Sequence, residues 1–75
     1  MNIQEFIQAF EEALELPAGT VKAKTRLADI ARYDSMGRLS IMAMADTKLR
    51  VVLDAGAMDQ CQTIADLHGL IQKAV

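Results

Sequence analysis

Tyr33-Asp34-Ser35-Met36-Gly37-Arg38-Leu39-Ser40-Ile41-Met42-Ala43-Met44-Ala45-Asp46 is the stretch on which the reading of the chain turns. Asp34 and Ser35 are both favoured at helix N-caps, and apolar residues follow at helical spacing, so a loop ends here and a helix begins at Asp34 or Ser35. The pattern carries that helix to Lys48 or Leu49. On a helical wheel Ile41, Met42, Ala45, Leu49 and Val52 fall on one side, and Met36, Leu39, Ser40, Ala43 and Thr47 on the other. The first set is expected to face the core. Met36 and Leu39 then stay partly exposed beside Ser35, either as ordinary surface residues or as a face for transient partners.

Ser35 is the candidate working residue. Its hydroxyl stands at a helix's first turn, where backbone N–H groups lack intrahelical partners and the helix dipole presents partial positive charge. A phosphate attached there would be favourably placed. The plain alternative is capping alone, worth about 1 kcal/mol. Gly37 weakens the first turn, which would leave the neighbourhood of Ser35 mobile.

Outward from this stretch, the N-terminal segment opens on Asn2 with Glu5 three residues later, and carries Ile3, Phe6, Ile7, Phe10 and Leu14 at helical spacing. Gln4, Gln8, Glu11, Glu12 and Glu15 form the opposite, solvated face, and Pro17 stops the helix near Glu15 or Leu16. Residues 17 to 34 show no sustained period. Val21, Leu27, Ile30 and Tyr33 are the apolar points expected to pin this long loop, with one helical turn at Leu27 and Ile30. Beyond the second helix, Arg50-Val51-Val52-Leu53-Asp54 has β-branched character without an evident partner strand, so it reads as an extended connector into a short helix around Ala57 to Gln60. Thr63 and Asp66 then form a capping-box-like start to a last helix whose inner side is Ile64, Leu67, His68, Ile71 and Ala74 or Val75. Gly69 inside that helix costs on the order of 1 kcal/mol relative to alanine, which a close helix contact would justify. The expected fold is all-α: a single domain over residues 1–75, a small four-helix bundle with three main helices, one short helix and a long loop between the first two.

Seventy-five residues support one core and little else, which favours a module handled by other proteins over an enzyme with its own walled pocket. Apolar residues make up 52% and charged residues 24%, a globular composition. Ten acids against eight bases give a net charge of −2, and the sequence pI is about 5.1, so there is no electrostatic footprint for nucleic acid. The charge is uneven: Glu5, Glu11, Glu12 and Glu15 lie in the first helix without a base, while Lys22, Lys24, Arg26 and Arg32 face only Asp29 in the loop. The single cysteine, Cys61, cannot form an internal disulfide. The N-terminus lacks the basic start and apolar core of a signal peptide, and no apolar run approaches membrane-spanning length, so a cytoplasmic chain with no membrane association is expected.

Asp34-Ser35-Met36 at the head of an amphipathic helix, with an aromatic residue before it, resembles the Asp-Ser-Leu signature of acyl carrier proteins. The resemblance covers nearly the whole chain: Leu27, Ile30, Tyr33, Ile41, Leu49, Thr63, Ile64 and Leu67 also occupy positions where that family has similar residue types. It implies a 4'-phosphopantetheine arm carried covalently on Ser35, moved there from coenzyme A by a phosphopantetheinyl transferase, with Asp34 helping to position the magnesium-bound phosphate. It further implies a non-catalytic monomer carrying acyl intermediates as thioesters, with Met36, Leu39 and Ala43 as docking contacts for the transferase and for acyl-transferring and condensing enzymes. Tethering would raise the local acyl concentration at any docked enzyme. Many fatty-acid carriers of the family have an acidic second helix. Here the corresponding positions include Gly37, Arg38, Ser40, Thr47, Lys48 and Arg50, and residues 34–54 hold three acids (Asp34, Asp46, Asp54) and three bases (Arg38, Lys48, Arg50). That departure points to a specialised fatty-acid, polyketide or related pathway.

The remaining candidates carry less. His68 reads as a hydrogen-bonded packing residue, Cys61 as a small buried apolar side chain without metal partners, and Met42, Met44 and Met58 as core filler that could also line a cleft opening for an acyl chain. A hydrolase built on Asp34, Ser35 and His68 has no oxyanion hole or pocket indicated. The alternative of a different class is a non-catalytic helical adaptor docking through Met36 and Leu39.

Overall fold

The computed structural model describes residues 2–74. Asn2 and Glu5 close a reciprocal capping box, each side chain bonding the other's backbone N–H, and α1 (Ile3–Ala13) follows. Its apolar spacing puts Phe6, Ile7, Phe10 and, just past its end, Leu14 into the core. The helix stops before Pro17 is reached. Glu15 adopts φ 57°, the Glu15 N–H donates to the Glu12 carbonyl and the Leu16 N–H to the Glu11 carbonyl, which is a left-handed helix ending with glutamate where glycine is usual.

Glu11 departs from the expected solvated face. It is only 4% exposed, and its Oε2 accepts from the backbone N–H groups of Thr20 at 2.9 Å and Val21 at 3.3 Å. A carboxylate on α1 therefore supplies hydrogen bonds to the loop that returns across it. Val21, Leu27 and Ile30 are buried, and Leu27–Asp29 form the one 3-10 turn of the segment, so the loop is pinned where the apolar points fall.

α2 (Ser35–Met44) begins at the expected place and continues as one π-helical turn, Ala45–Leu49. Arg50 takes φ 56°, and the Arg50 and Val51 N–H groups both donate to the Ala45 carbonyl. Ile41, Met44 and Ala45 are buried, while Met42 and Leu49 are half-buried. Val52 is not on the core side. The left-handed turn at Arg50 resets the direction of the chain, so Val51 and Leu53 point inward and Val52 is 84% exposed.

α3 (Ala55–Asp59) starts two residues earlier than the spacing suggested, capped by the Asp54 carboxylate on the Ala57 N–H at 2.9 Å, and it inserts Met58 into the core. α4 (Ile64–Ala74) buries Ile64, Leu67 and Ile71. Ala74 is exposed, and Val75 lies outside the described residues. Gly69 has no atom within 4 Å of the place its Cβ would take, so no close helix contact explains it. Among the described residues the extended pairing amounts to an isolated antiparallel bridge between Arg26 and Thr63. Phe6, Phe10, Ile41, Met58, Ile64 and Leu67 form the fully buried centre to which all four helices contribute.

Candidate functional site

Ser35 is the first residue of α2 and is exposed. Three independent contacts fix the chain around it. The half-buried Tyr33 stacks on Phe10 with ring centroids 5.9 Å apart and planes 26° apart, tying the residue two before Ser35 to the middle of α1. The Asp34 carboxylate accepts from the Gly37 N–H at 2.9 Å, and the Asp34 carbonyl accepts from the Arg38 N–H at 2.9 Å. Asp34 is thus the N-cap. Gly37 itself is buried against the loop: a Cβ there would overlap the Arg32 carbonyl oxygen and lie 3.0 Å from its carbon and 3.3 Å from Leu14 Cδ2.

Gly37 therefore has a purpose that helix propensity hides. It lets the Arg32 carbonyl pass close to the first turn of α2, where the Cβ of any other residue would collide with it. The Arg32 guanidinium adds a bond to the Leu14 carbonyl at 3.3 Å and faces Glu15 at 3.7 Å. The signal in the sequence was the glycine alone, and nothing local named its neighbour.

Of the first four N–H groups of α2, Asp34 occupies those of Gly37 and Arg38. Among the described residues no protein acceptor meets those of Ser35 and Met36. Oxygens of a group esterified to Ser35 would find these donors and the positive end of the helix dipole at hand. The exposure of Ser35 and the two neighbouring donors fit a phosphate-linked arm.

Met36 is 72% and Leu39 59% exposed, and Ala43 is exposed on the same stripe. On the flank toward α3, Arg38 meets Asp59 at 2.7 Å and the Ala55 carbonyl at 3.1 Å. This bridge joins residues far apart in sequence, and no motif announced it. Burial raises the pKa of Tyr33, partly offset by the Arg38 cation.

The His68 ring packs on Phe6 with centroids 5.8 Å apart, and its Nε2 lies 3.0 Å from Gln72 Nε2. Cys61 is half-buried, its Sγ 3.7 Å from the Ala57 carbonyl, and burial together with the Asp66 carboxylate raises its pKa. Among the described residues no cluster of His, Cys, Asp or Glu could hold a metal ion, and no helix is long and apolar enough to cross a membrane.

Fold and element order together define the chain as a small helical bundle with an acyl carrier-like fold. The solution NMR structure of holo acyl carrier protein from Geobacter metallireducens matches it with a TM-score of 0.81, covering 96% of this chain and 83% of that one at 15% identity. No protein-family profile and no curated protein matches the sequence.

Proposed function

We propose that the chain is an acyl carrier protein, a cytoplasmic monomer that presents Ser35 for attachment of 4'-phosphopantetheine and carries acyl groups on that arm. The observation that supports this most is an exposed serine at the head of α2, held by a capped and packed first turn, in a fold shared with a holo acyl carrier protein. The Ser35 hydroxyl would attack the phosphorus of coenzyme A on the pantetheine side of its diphosphate. A P–O ester bond forms, the diphosphate P–O bond breaks, adenosine 3',5'-bisphosphate leaves, and the hydroxyl proton passes to the transferase. The arm, once bound, supplies a thiol that holds an acyl group as an activated thioester.

The chain's own residues confine and present. Asp34 fixes the first turn through the Gly37 N–H, and its carboxylate would help to position the magnesium-bound phosphate during transfer. The Ser35 and Met36 amides would be available to the phosphodiester oxygens. Met36, Leu39 and Ala43 offer the docking stripe to the transferase and then to acyl-transferring and condensing enzymes of a specialised fatty-acid, polyketide or related pathway.

Intact-mass measurement after incubation with coenzyme A and a broad-specificity phosphopantetheinyl transferase tests this. One arm's mass should be gained by the wild type and not by Ser35→Ala. The exposure of Met36 and Leu39 also suits an unmodified adaptor, and that reading would be favoured by partner binding that survives Ser35→Ala and is lost in Leu39→Asp, with no mass gain in the wild type.

A further inference from the structure

Two cations flank Ser35 in the sequence, Arg32 three residues before it and Arg38 three after. Arg32 precedes the helix and is engaged on the α1 side, where its Nη1 donates to the Leu14 carbonyl at 3.3 Å and meets Glu15 at 3.7 Å. Arg38 belongs to α2 itself. A helix sets residues three apart side by side on its surface, with Cβ atoms about 5–6 Å apart, a separation that an arginine side chain spans.

Arg38 spends one nitrogen on α3. Its Nη2 lies 2.7 Å from Asp59 Oδ1 and 3.1 Å from the Ala55 carbonyl. The Tyr33 hydroxyl is within reach of the same guanidinium, whose charge and hydrogen bond offset part of the rise that burial gives its pKa. The cation therefore sits where α3, the first turn of α2 and the ring stacked on Phe10 come together. These partners take only part of the fork of donors that a guanidinium carries, and the Arg38 side chain remains 32% exposed. The Asp59 side chain is 59% exposed, and a pair this solvated is weak and leaves the arginine able to engage a second anion. The other charges close to Ser35 on this flank are carboxylates, Asp34 at the cap and Asp59 on α3, so a phosphodiester there would need a cation beside it.

We infer that Arg38 is a second hold on the arm, its guanidinium donating to a phosphodiester oxygen at Ser35 with N–H groups that α3 leaves free. The inference rests on the carrier reading above and adds to it the side chain that grips the root of the arm. Arginine suits the task, because its planar fork offers one edge to a carboxylate and another to a phosphate through charge-assisted hydrogen bonds.

The test is phosphorus NMR of the full chain loaded from coenzyme A by a phosphopantetheinyl transferase, with intact mass verifying the loading. Arg38→Gln and Asp59→Asn both break the pair between α2 and α3, and only the first removes the donors. The diester resonance should move by more than its line width in Arg38→Gln and stay within it in Asp59→Asn. Thermal unfolding verifies that both variants fold. Should Arg38→Gln fail to fold, the wild type alone decides: its Arg38 guanidinium proton resonances should move on loading, and unmoved resonances overturn the inference. An unmoved diester line in loaded Arg38→Gln overturns it too. Equal movement in both variants assigns the effect to a displaced α3 and overturns the contact, and movement with Arg32→Gln in place of Arg38→Gln overturns it in favour of the other arginine. Absence of any mass gain on Ser35 overturns the carrier reading and this inference with it, whereas full loading with a diester line indifferent to Arg38 overturns the inference alone.

Discussion

A methyl group at position 37 would run into the Arg32 carbonyl, which belongs to backbone and cannot swing aside. Alanine is the better helix former by about 1 kcal/mol, and an overpacked contact costs about 1–3 kcal/mol, so Gly37→Ala is expected to lower stability in urea denaturation despite its propensity. Arg50 is the reverse case. Its φ of 56° strains a residue with a Cβ, and Arg50→Gly should raise the urea midpoint, by no more than about 1 kcal/mol in stability. The sequence showed that position 37 was a glycine in a first turn. What it could not show was the carbonyl of residue 32, because that approach is created by the return of a long irregular loop. Ser35 and Asp34, in contrast, were legible as a helix start, since capping is a local matter of side-chain length and hydrogen-bond chemistry.

The elements were legible where their periodicity ran uninterrupted. Ile64, Leu67 and Ile71 of α4, like Phe6, Ile7 and Phe10 of α1, lie inside as a 3.6-residue period requires. Val52 was misplaced because a wheel assumes one continuous helix, and the π turn with the left-handed Arg50 breaks that assumption. Glu11 was misplaced for a different reason: its partners, the Thr20 and Val21 amides, come from a segment without a period of its own. The start of α4 also carries a pH dependence. Asp66 accepts from the Gln62 and Thr63 N–H groups at 3.0 and 3.1 Å, which holds its carboxyl below the usual carboxylate range. A lowered folded pKa means stability that is complete above the unfolded value and is lost as pH falls through the folded one. Asp66→Ala should therefore lower Tm at pH 7, and the gap from wild type should narrow in melts below about pH 4.

Across the whole molecule, the loop between α1 and α2 is held by a few long-range bonds rather than by regular structure. Glu11 is the clearest of them, because removing its carboxylate leaves the buried Val21 amide without its acceptor. Glu11→Ala is expected to lower the unfolding free energy by about 1–3 kcal/mol, and Glu11→Gln, which keeps one acceptor oxygen, by less. Denaturant titration of the two variants separates hydrogen bonding from packing. The same loop also reaches the far side of the bundle: the Leu27 N–H donates to the Gln62 carbonyl, while the Thr25 and Ala23 carbonyls accept from Ile64 and Ala65 at 3.1 and 2.9 Å.

Those last two acceptors have an outcome visible in heavy water. The opening amides of a helix are normally its quickest to trade hydrogen for deuterium, being left over by the ladder that follows them. Ile64 and Ala65 should instead keep their protons as long as the interior of their helix does, and surrender them only when the crossing strap lifts away. The Ser35 and Met36 amides, with no such strap above them, should exchange first.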